Sequence, residues 1–248
     1  MTILNFHLPL CIMDNMPTTN LITNSSTLST VSVDCVIFGL ADDKLKVLLT
    51  KHESGINEGQ WALPGDYINQ NIDLENMPYE VLTNSTGLSN VYVEQFDVFG
   101  KTLRVPHQRV ITIAYFALIN IDKYVDQVGK GTRFTMWESM DNIPKLIYDH
   151  EEVIQKAYEV LKIKLRREPI GVELLPEQFS LTQFQSMYET ILGIKLDARN
   201  FRKKVAKEKM LKATGKYAEN VPYRSPALYS FDKERIEKLR GGGYYFDI

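Results

Sequence analysis

Gly59-Gln60-Trp61-Ala62-Leu63-Pro64-Gly65-Asp66, followed after a polar stretch by Glu80-Val81-Leu82-Thr83-Asn84-Ser85-Thr86-Gly87-Leu88, decides how this chain folds. Leu74, Met77, Val81 and Leu82 recur at helical spacing, which predicts a helix within residues 74–86. Pro78 lacks an N–H and is tolerated only in a first turn, so the regular helix should begin near Asn76. Gly87 then suits the left-handed residue that ends it. The apolar Trp61-Ala62-Leu63 before Pro64-Gly65 leads into that helix from an extended segment.

Working outward, residues 31–39 are rich in Val, Ile and Phe and read as a strand. Ala41-Asp42-Asp43 supplies a turn into a second strand at 44–50. Further strands are predicted at 91–98 and 110–117, with 134–138 leading into Met140 to Pro144. Val153, Ile154, Ala157, Val160 and Leu161 mark one side of a helix over 151–164. Asp149 is a good N-cap for it, and a structural role there is favoured over a catalytic one for Asp149-His150. Arg166-Arg167-Glu168-Pro169-Ile170-Gly171 then interrupts the pattern.

After that break the chain changes character. Ser180-Leu181-Thr182-Gln183 is a capping box before a helix at 181–192, with Phe184, Met187, Tyr188 and Ile191 facing in. Gly193 stops it, and Asp197 caps a second helix running to about Met210. Phe201 and Val205 face its core, while Arg199, Asn200, Arg202, Lys203, Lys204 and Lys207 lie mostly elsewhere. A hairpin containing Gly215 and Pro226 follows. Helix, turn, basic helix and hairpin make a winged helix-turn-helix pattern.

Charge supports this division. Between Lys195 and Arg240, 14 Lys and Arg stand against 6 Asp and Glu, which leaves 15 against 25 elsewhere in a chain of net charge −2. A basic segment on an acidic body suits a polyanion such as DNA, with a solvated helical face as the plainer alternative. Two cysteines, Cys11 and Cys35, make neither a disulfide framework nor a zinc site, and a reducing cytoplasm is the simplest setting. No apolar run approaches a membrane span, and the first Lys or Arg is Lys44, so neither a membrane anchor nor a secretory signal is expected.

The opening stretch resembles the Nudix box, a frame of Gly, five residues, Glu, seven residues, Arg-Glu, an aliphatic, any residue, Glu-Glu, any residue, Gly and an aliphatic. Anchored on Gly87-Leu88, its first glycine falls on Asp66, its first glutamate on Ile72 and its arginine on Glu80. The next glutamate falls on Val81, and the metal-binding pair on Asn84 and Ser85. A hard cation wants several carboxylate oxygens, which these residues do not supply. Glu75 and Glu80 remain on the helix as surface groups, and no catalytic residue, metal or other cofactor is expected.

With Arg104-Val105-Pro106, Glu168-Pro169-Ile170-Gly171, Leu174-Leu175-Pro176 and the 197–205 stretch, the chain resembles the Nudix-related transcriptional regulators. The resemblance implies an α+β chain: a Nudix-like α/β/α sandwich with a mixed sheet, then a C-terminal winged helix. The expected divisions are a flexible segment at 1–30, an effector domain at 31–165, a linker at 166–176 and a DNA-binding domain at 177–248. Of the family's branches, one senses ADP-ribose-like nucleotides and controls NAD metabolism. The chain is more similar to the arabinose-utilisation branch, which implies L-arabinose or another pentose as effector.

Trp61, Asp66, Arg104 and Arg109 are the expected ligand contacts. Core packing is the alternative for Trp61, and surface ion pairs are the alternative for the two arginines. For DNA, Arg199 and Asn200 suit base edges, Arg202, Lys203, Lys204 and Lys207 the groove and phosphates, and Lys216 and Arg224 a wing contact. A homodimer on a two-fold double-stranded operator follows from winged-helix symmetry. A diverged Nudix hydrolase is the enzymatic alternative, with Asp66, Asp73 and Glu75 as relocated carboxylates.

Overall fold

The strand β1 (Thr30–Ala41) is the centre of the first sheet in a computed structural model that describes residues 30–106, 108–219 and 225–240. It turns through Asp42 and Asp43, both at φ 54°, into β2 (Lys44–Lys51). Two left-handed residues in succession match the twist of an antiparallel hairpin, and aspartate enters that region more readily than most side chains. There follow β3 (Trp61–Ala62), β4 (Gly65–Tyr67), α1 (Met77–Thr86), β5 (Val93–Phe99), β6 (Val110–Asn120), the short α2 (Ile121–Tyr124), β7 (Thr135–Ser139) and α3 (His150–Arg167).

The strand order is β3-β2-β1-β6-β5, with β4 also on β1 and β7 also on β2. The β1/β6 pair is parallel and the other strand pairs are antiparallel, so the sheet is mixed. Successive β1 side chains take opposite faces. Val33, Cys35 and Ile37 bury against Met77, Val81 and Leu82 of α1. Val36 and Phe38 belong to the core on the other face, with Val153, Ile154, Ala157 and Leu161 of α3. Each Val, Leu, Ile, Phe or Met among them contributes about 1.5–3 kcal/mol by leaving water, and the result is a helix/sheet/helix sandwich. The first helix begins as its proline requires, after Asn76, and ends on Gly87 at φ 84°. A Cβ there would collide with the carbonyl of Gln127, so the residue is fixed by space as well as by φ.

The second unit comprises β8 (Phe179–Ser180), α4 (Leu181–Leu192), α5 (Ala198–Glu208), β9 (Leu211–Tyr217), β10 (Ala227–Phe231) and α6 (Lys233–Arg240). Its sheet order is β8-β10-β9. The capping box is formed: Ser180 Oγ accepts from the Gln183 N–H, and the Gln183 amide reaches back to the Ser180 N–H at 2.8 Å. Rings fill the core, with Phe179 on Phe231 at 4.6 Å and Phe184 on Phe201 at 5.5 Å between centroids. In the last turn of α4, Glu189 accepts from Gln185, from the Leu196 N–H and from Lys195. Those donors, the Gln185 amide foremost, hold its carboxyl down to about 2.

Several expectations shift. The first strand begins at Thr30, one residue inside the segment expected to be flexible; residues 1–29 lie outside the described residues. The last helix, α6, has no counterpart in the sequence reading, and α5 ends at Glu208, with Lys209 in the left-handed region at φ 54°. The linker expected over 166–176 is docked. Its first two residues belong to α3, Leu174 is buried, and the Leu174 carbonyl accepts from Asn120 Nδ2 at 3.2 Å. One continuous buried cluster runs from β1 and β6 through α3 into α4 and α5. Polar contacts tie the same junction: Tyr158 Oη donates to the Ile191 carbonyl at 2.8 Å, and Ser186 and Thr190 of α4 hydrogen-bond Asp43.

Candidate functional site

The N-terminal ends of β1 and β6 depart from the apolar pattern of the strands. Ser32 pairs in register with Thr112, and their hydroxyls meet at 2.7 Å. Asp34 follows on the same face, where Val36 and Phe38 continue as core. At this end only the start of α3, at His150, meets the sheet. The space left is a cleft of about 680 Å³, within the ~300–1,000 Å³ range of small-molecule sites. Its floor is Ser32, Asp34, Arg104, Thr112 and His150, and its walls include Asn57, Asp66, Tyr67, Arg133 and Tyr148.

Arg104 occupies the floor but is committed. Its Nε and Nη2 donate to the two oxygens of Asp149 at 2.9 and 2.7 Å, and its Nη1 donates to Thr112 Oγ1. This buried pair replaces the surface ion pair weighed for Arg104. It also corrects the role expected of Asp149. That residue stands at the N-cap of α3 but makes no side-chain cap, because Arg104 takes its carboxylate. His150 Nδ1 accepts the Leu63 N–H at 2.9 Å, which leaves the ring proton on Nε2, 3.5 Å from Asp34 Oδ2. Burial holds the imidazole pKa below its ordinary value. Burial pushes the Asp34 carboxyl the other way, upward, with His150 and Arg104 opposing. Gly65 is required beside it, since a Cβ there would overlap Asp34 Oδ1.

The other expected ligand contacts divide. Asp66 lines the cleft, with Oδ1 accepting its neighbour's N–H at Tyr67. Trp61 does not line it. On the edge strand β3 its ring packs near Phe134 at 5.9 Å and under the Lys51 ammonium at 5.6 Å, against the α3-side core rather than against α1, where the packing alternative puts it. Arg109 is also outside the lining; it is exposed and donates to the Gly100 carbonyl. Its neighbour Val110 begins β6 buried, and alternation turns Arg109 away from that side. The sequence reading missed Asp34, Tyr67, Arg133 and Tyr148, and gave His150 a structural role only. Ser32 and Asp34, two polar residues at i and i+2 on one face of an apolar strand, were the available signal.

The box positions on α1 do not suit the metal that the Nudix frame implies. Val81 is core, Ser85 Oγ donates to the Val81 carbonyl, and Asn84 donates to Glu80. Among the described residues no group of three His, Cys, Asp or Glu could hold a metal ion.

In the second unit, Asp197 Oδ1 accepts the Asn200 N–H at 2.8 Å and starts α5. Phe201 and Val205 face the core. Arg199, Asn200, Arg202, Lys203 and Lys207 are exposed, and Lys204 is half-buried. Arg235 of α6 donates to the Glu208 carbonyl at the end of α5, satisfying one of the acceptors a helix leaves open there. Lys216 is exposed on β9; Arg224 lies outside the described residues. Among the described residues no helix is long and apolar enough to cross a membrane.

Comparison with known proteins agrees with both halves. Residues 171–231 match the NrtR DNA-binding winged helix domain. The chain is 30% identical over 206 residues to the ADPR responsive transcriptional repressor NtrR of Acinetobacter baylyi, covering 81% of each chain. It is 25% identical over 117 residues to an ADP-ribose pyrophosphatase of Methanocaldococcus jannaschii, covering 47% of this chain and 68% of that one. The crystal structure of Shewanella oneidensis NrtR complexed with a 27mer DNA superposes with a TM-score of 0.74 at 27% identity, over 84% of this chain and 95% of that one.

Proposed function

The chain belongs to the Nudix-related transcriptional regulators that join a Nudix-fold domain to an NrtR-type winged helix, and on that premise we propose that it binds operator DNA through α5 under the control of an ADP-ribose-class effector in the cleft. The observation that carries this is the pairing of two features in one hydrogen-bonded body. A capped helix presents five exposed Arg, Lys and Asn side chains. The sheet, whose β1/β2 turn hydrogen-bonds the preceding helix, holds a cleft large enough for a nucleotide. The L-arabinose implied by the resemblance finds no support in these relatives, and ADP-ribose, the other effector of the family, fits better. A free pentose would leave most of the cleft unfilled.

In this reading Arg199 and Asn200 reach base edges while Arg202, Lys203 and Lys207 neutralise phosphate. Lys204, Lys216 and Arg224 supply flanking backbone contacts. In the cleft, Arg133 attracts the diphosphate, and Tyr67 and Tyr148 offer aromatic faces to a base. Asp66 serves as a polar wall, and Trp61 and Arg109 are not contacts. The protein acts as a homodimer on a two-fold operator in the cytoplasm and does not hydrolyse its effector, because the box residues cannot hold Mg2+. The test is fluorescence anisotropy on labelled operator DNA, titrated with ADP-ribose and separately with L-arabinose. A change of operator affinity with ADP-ribose and none with L-arabinose is expected; the reverse pattern overturns the effector assignment.

A further inference from the structure

The Asp34 side chain is 9% exposed, lines the cleft, and accepts no hydrogen bond from any described residue. The nearest cationic or potentially cationic nitrogens are His150 Nε2 at 3.5 Å and Arg104 Nη2 at 3.9 Å. An ionised oxygen withdrawn from water needs donors, and this one faces a cavity from which they can come. Beside it the His150 Nε2–H is a donor whose tautomer is fixed, because Nδ1 is occupied by the Leu63 N–H. The floor is thus an acceptor next to a donor.

Its charge excludes one class of occupant. Arg104 is matched by Asp149 and Thr112, so the floor offers a phosphate no unpaired positive charge, whether Asp34 is ionised or held neutral by its burial. A phosphate placed there would lose its water without gaining a cation. The half-buried Arg133, which also lines the cleft and forms no ion pair among the described residues, is the better phosphate partner. A sugar hydroxyl has the opposite chemistry. One hydroxyl can donate to Asp34 while it or its neighbour accepts from His150.

We propose that Asp34 and His150 form a subsite for the vicinal diol of a sugar ring, so that the effector enters with its free-hydroxyl ribose innermost and its phosphates outward. This rests on the cleft being the effector site and refines which end of the ligand the floor reads. A free pentose offers the same diol, so the experiment must separate the two sources.

Calorimetry on the full chain with ADP-ribose, ADP, D-ribose and L-arabinose does so, on the unaltered protein and on Asp34→Asn. ADP lacks the second ribose. The expected result is that ADP-ribose binds roughly tenfold or more tightly than ADP, as one hydrogen bond to a charged group warrants. Asp34→Asn should remove that advantage, bringing ADP-ribose and ADP to equal affinity. If Asp34→Asn fails to fold, as its melting curve will report, the unaltered protein decides: equal affinity for ADP-ribose and ADP overturns the subsite. Equal binding of the two nucleotides, unaffected by Asp34→Asn, overturns the subsite while the nucleotide effector stands. Binding of ribose or arabinose alone, lost in Asp34→Asn, supports the subsite and removes the nucleotide reading. No binding by any of the four overturns both.

Discussion

The guanidinium of Arg104 grips the carboxylate of Asp149 through two parallel hydrogen bonds, 2.9 and 2.7 Å long, with the arginine side chain 3% exposed. The pair ties the loop after β5 to the N-cap of α3, and it fixes the floor beneath the cleft. A planar fork on a planar carboxylate is strong, yet burying both ions is costly. The pair therefore shapes the site more than it stabilises the fold.

Breaking it from one side should nonetheless be severe, because one buried charge is left alone. Arg104→Ala or Asp149→Ala should each lower stability by about 3–5 kcal/mol, measured by urea denaturation. The double replacement Arg104→Met with Asp149→Leu should recover much of that loss. A single-variant cost under about 1 kcal/mol, the scale of an exposed ion pair, would show that the pair is solvated.

The box residues predict the enzymatic outcome. With Ile72, Val81, Asn84 and Ser85 at the acidic positions, purified protein should not turn over ADP-ribose in Mg2+ or Mn2+. Release of AMP at an ordinary rate, about 1 per second or faster, would falsify the regulator-only reading of the Nudix domain.

The exposed face of α5 predicts two kinds of defect. Lys203→Ala and Lys207→Ala should weaken binding to all DNA sequences and each flatten the salt slope by about 1. Arg199→Ala and Asn200→Ala should cost about 1–3 kcal/mol at the operator alone. Anisotropy titrations on operator and scrambled DNA at several salt concentrations separate them. If all four variants bind operator like the parent, another surface reads the DNA.

The hydrogen bond from Tyr158 Oη to the Ile191 carbonyl joins α3, whose first turn floors the cleft, to α4, which supports α5. Tyr158→Phe should leave DNA affinity without effector nearly unchanged and reduce the effector's influence on it. Coupling between sites is typically about 1–3 kcal/mol and acts equally in both directions. ADP-ribose affinity with and without operator should therefore show the same reduced factor. Full coupling in the variant would place the connection elsewhere in the shared core.

Acid should loosen the helix-turn-helix. The Glu189 carboxyl is held down to about 2 by Gln185 and the Leu196 N–H. A depressed carboxyl contributes stability above its unfolded value, near 4.5, and loses it as pH falls toward 2. Glu189→Gln should therefore be less stable than the parent at pH 6, with the gap closing as pH drops through that window. A gap that stays constant with pH would mean the bonds do not depend on the charge.

Local chemistry made much of this molecule legible in its sequence. The proline at position 78 and Gly87 set the ends of α1 because one lacks an N–H and the other has no Cβ. Ser180 with Gln183, and Asp197, fixed the starts of α4 and α5 because a cap needs only residues three or four apart. The Phe201 and Val205 stripe placed the basic side chains outward for the same short-range reason. The cleft floor could not be read this way. Asp34, Arg104, Thr112 and His150 come from two parallel strands, a loop and a helix start, and only the β1/β6 register and the approach of Gly65 bring them together. Trp61 and Arg109 were chosen for their chemistry, but whether a side chain meets a cleft depends on strand position and alternation, which tertiary pairing sets. The docked segment after α3 follows the same rule. Its prolines and glycine spell a break in the chain, while the burial of Leu174 and its bond to Asn120 depend on a strand more than fifty residues away.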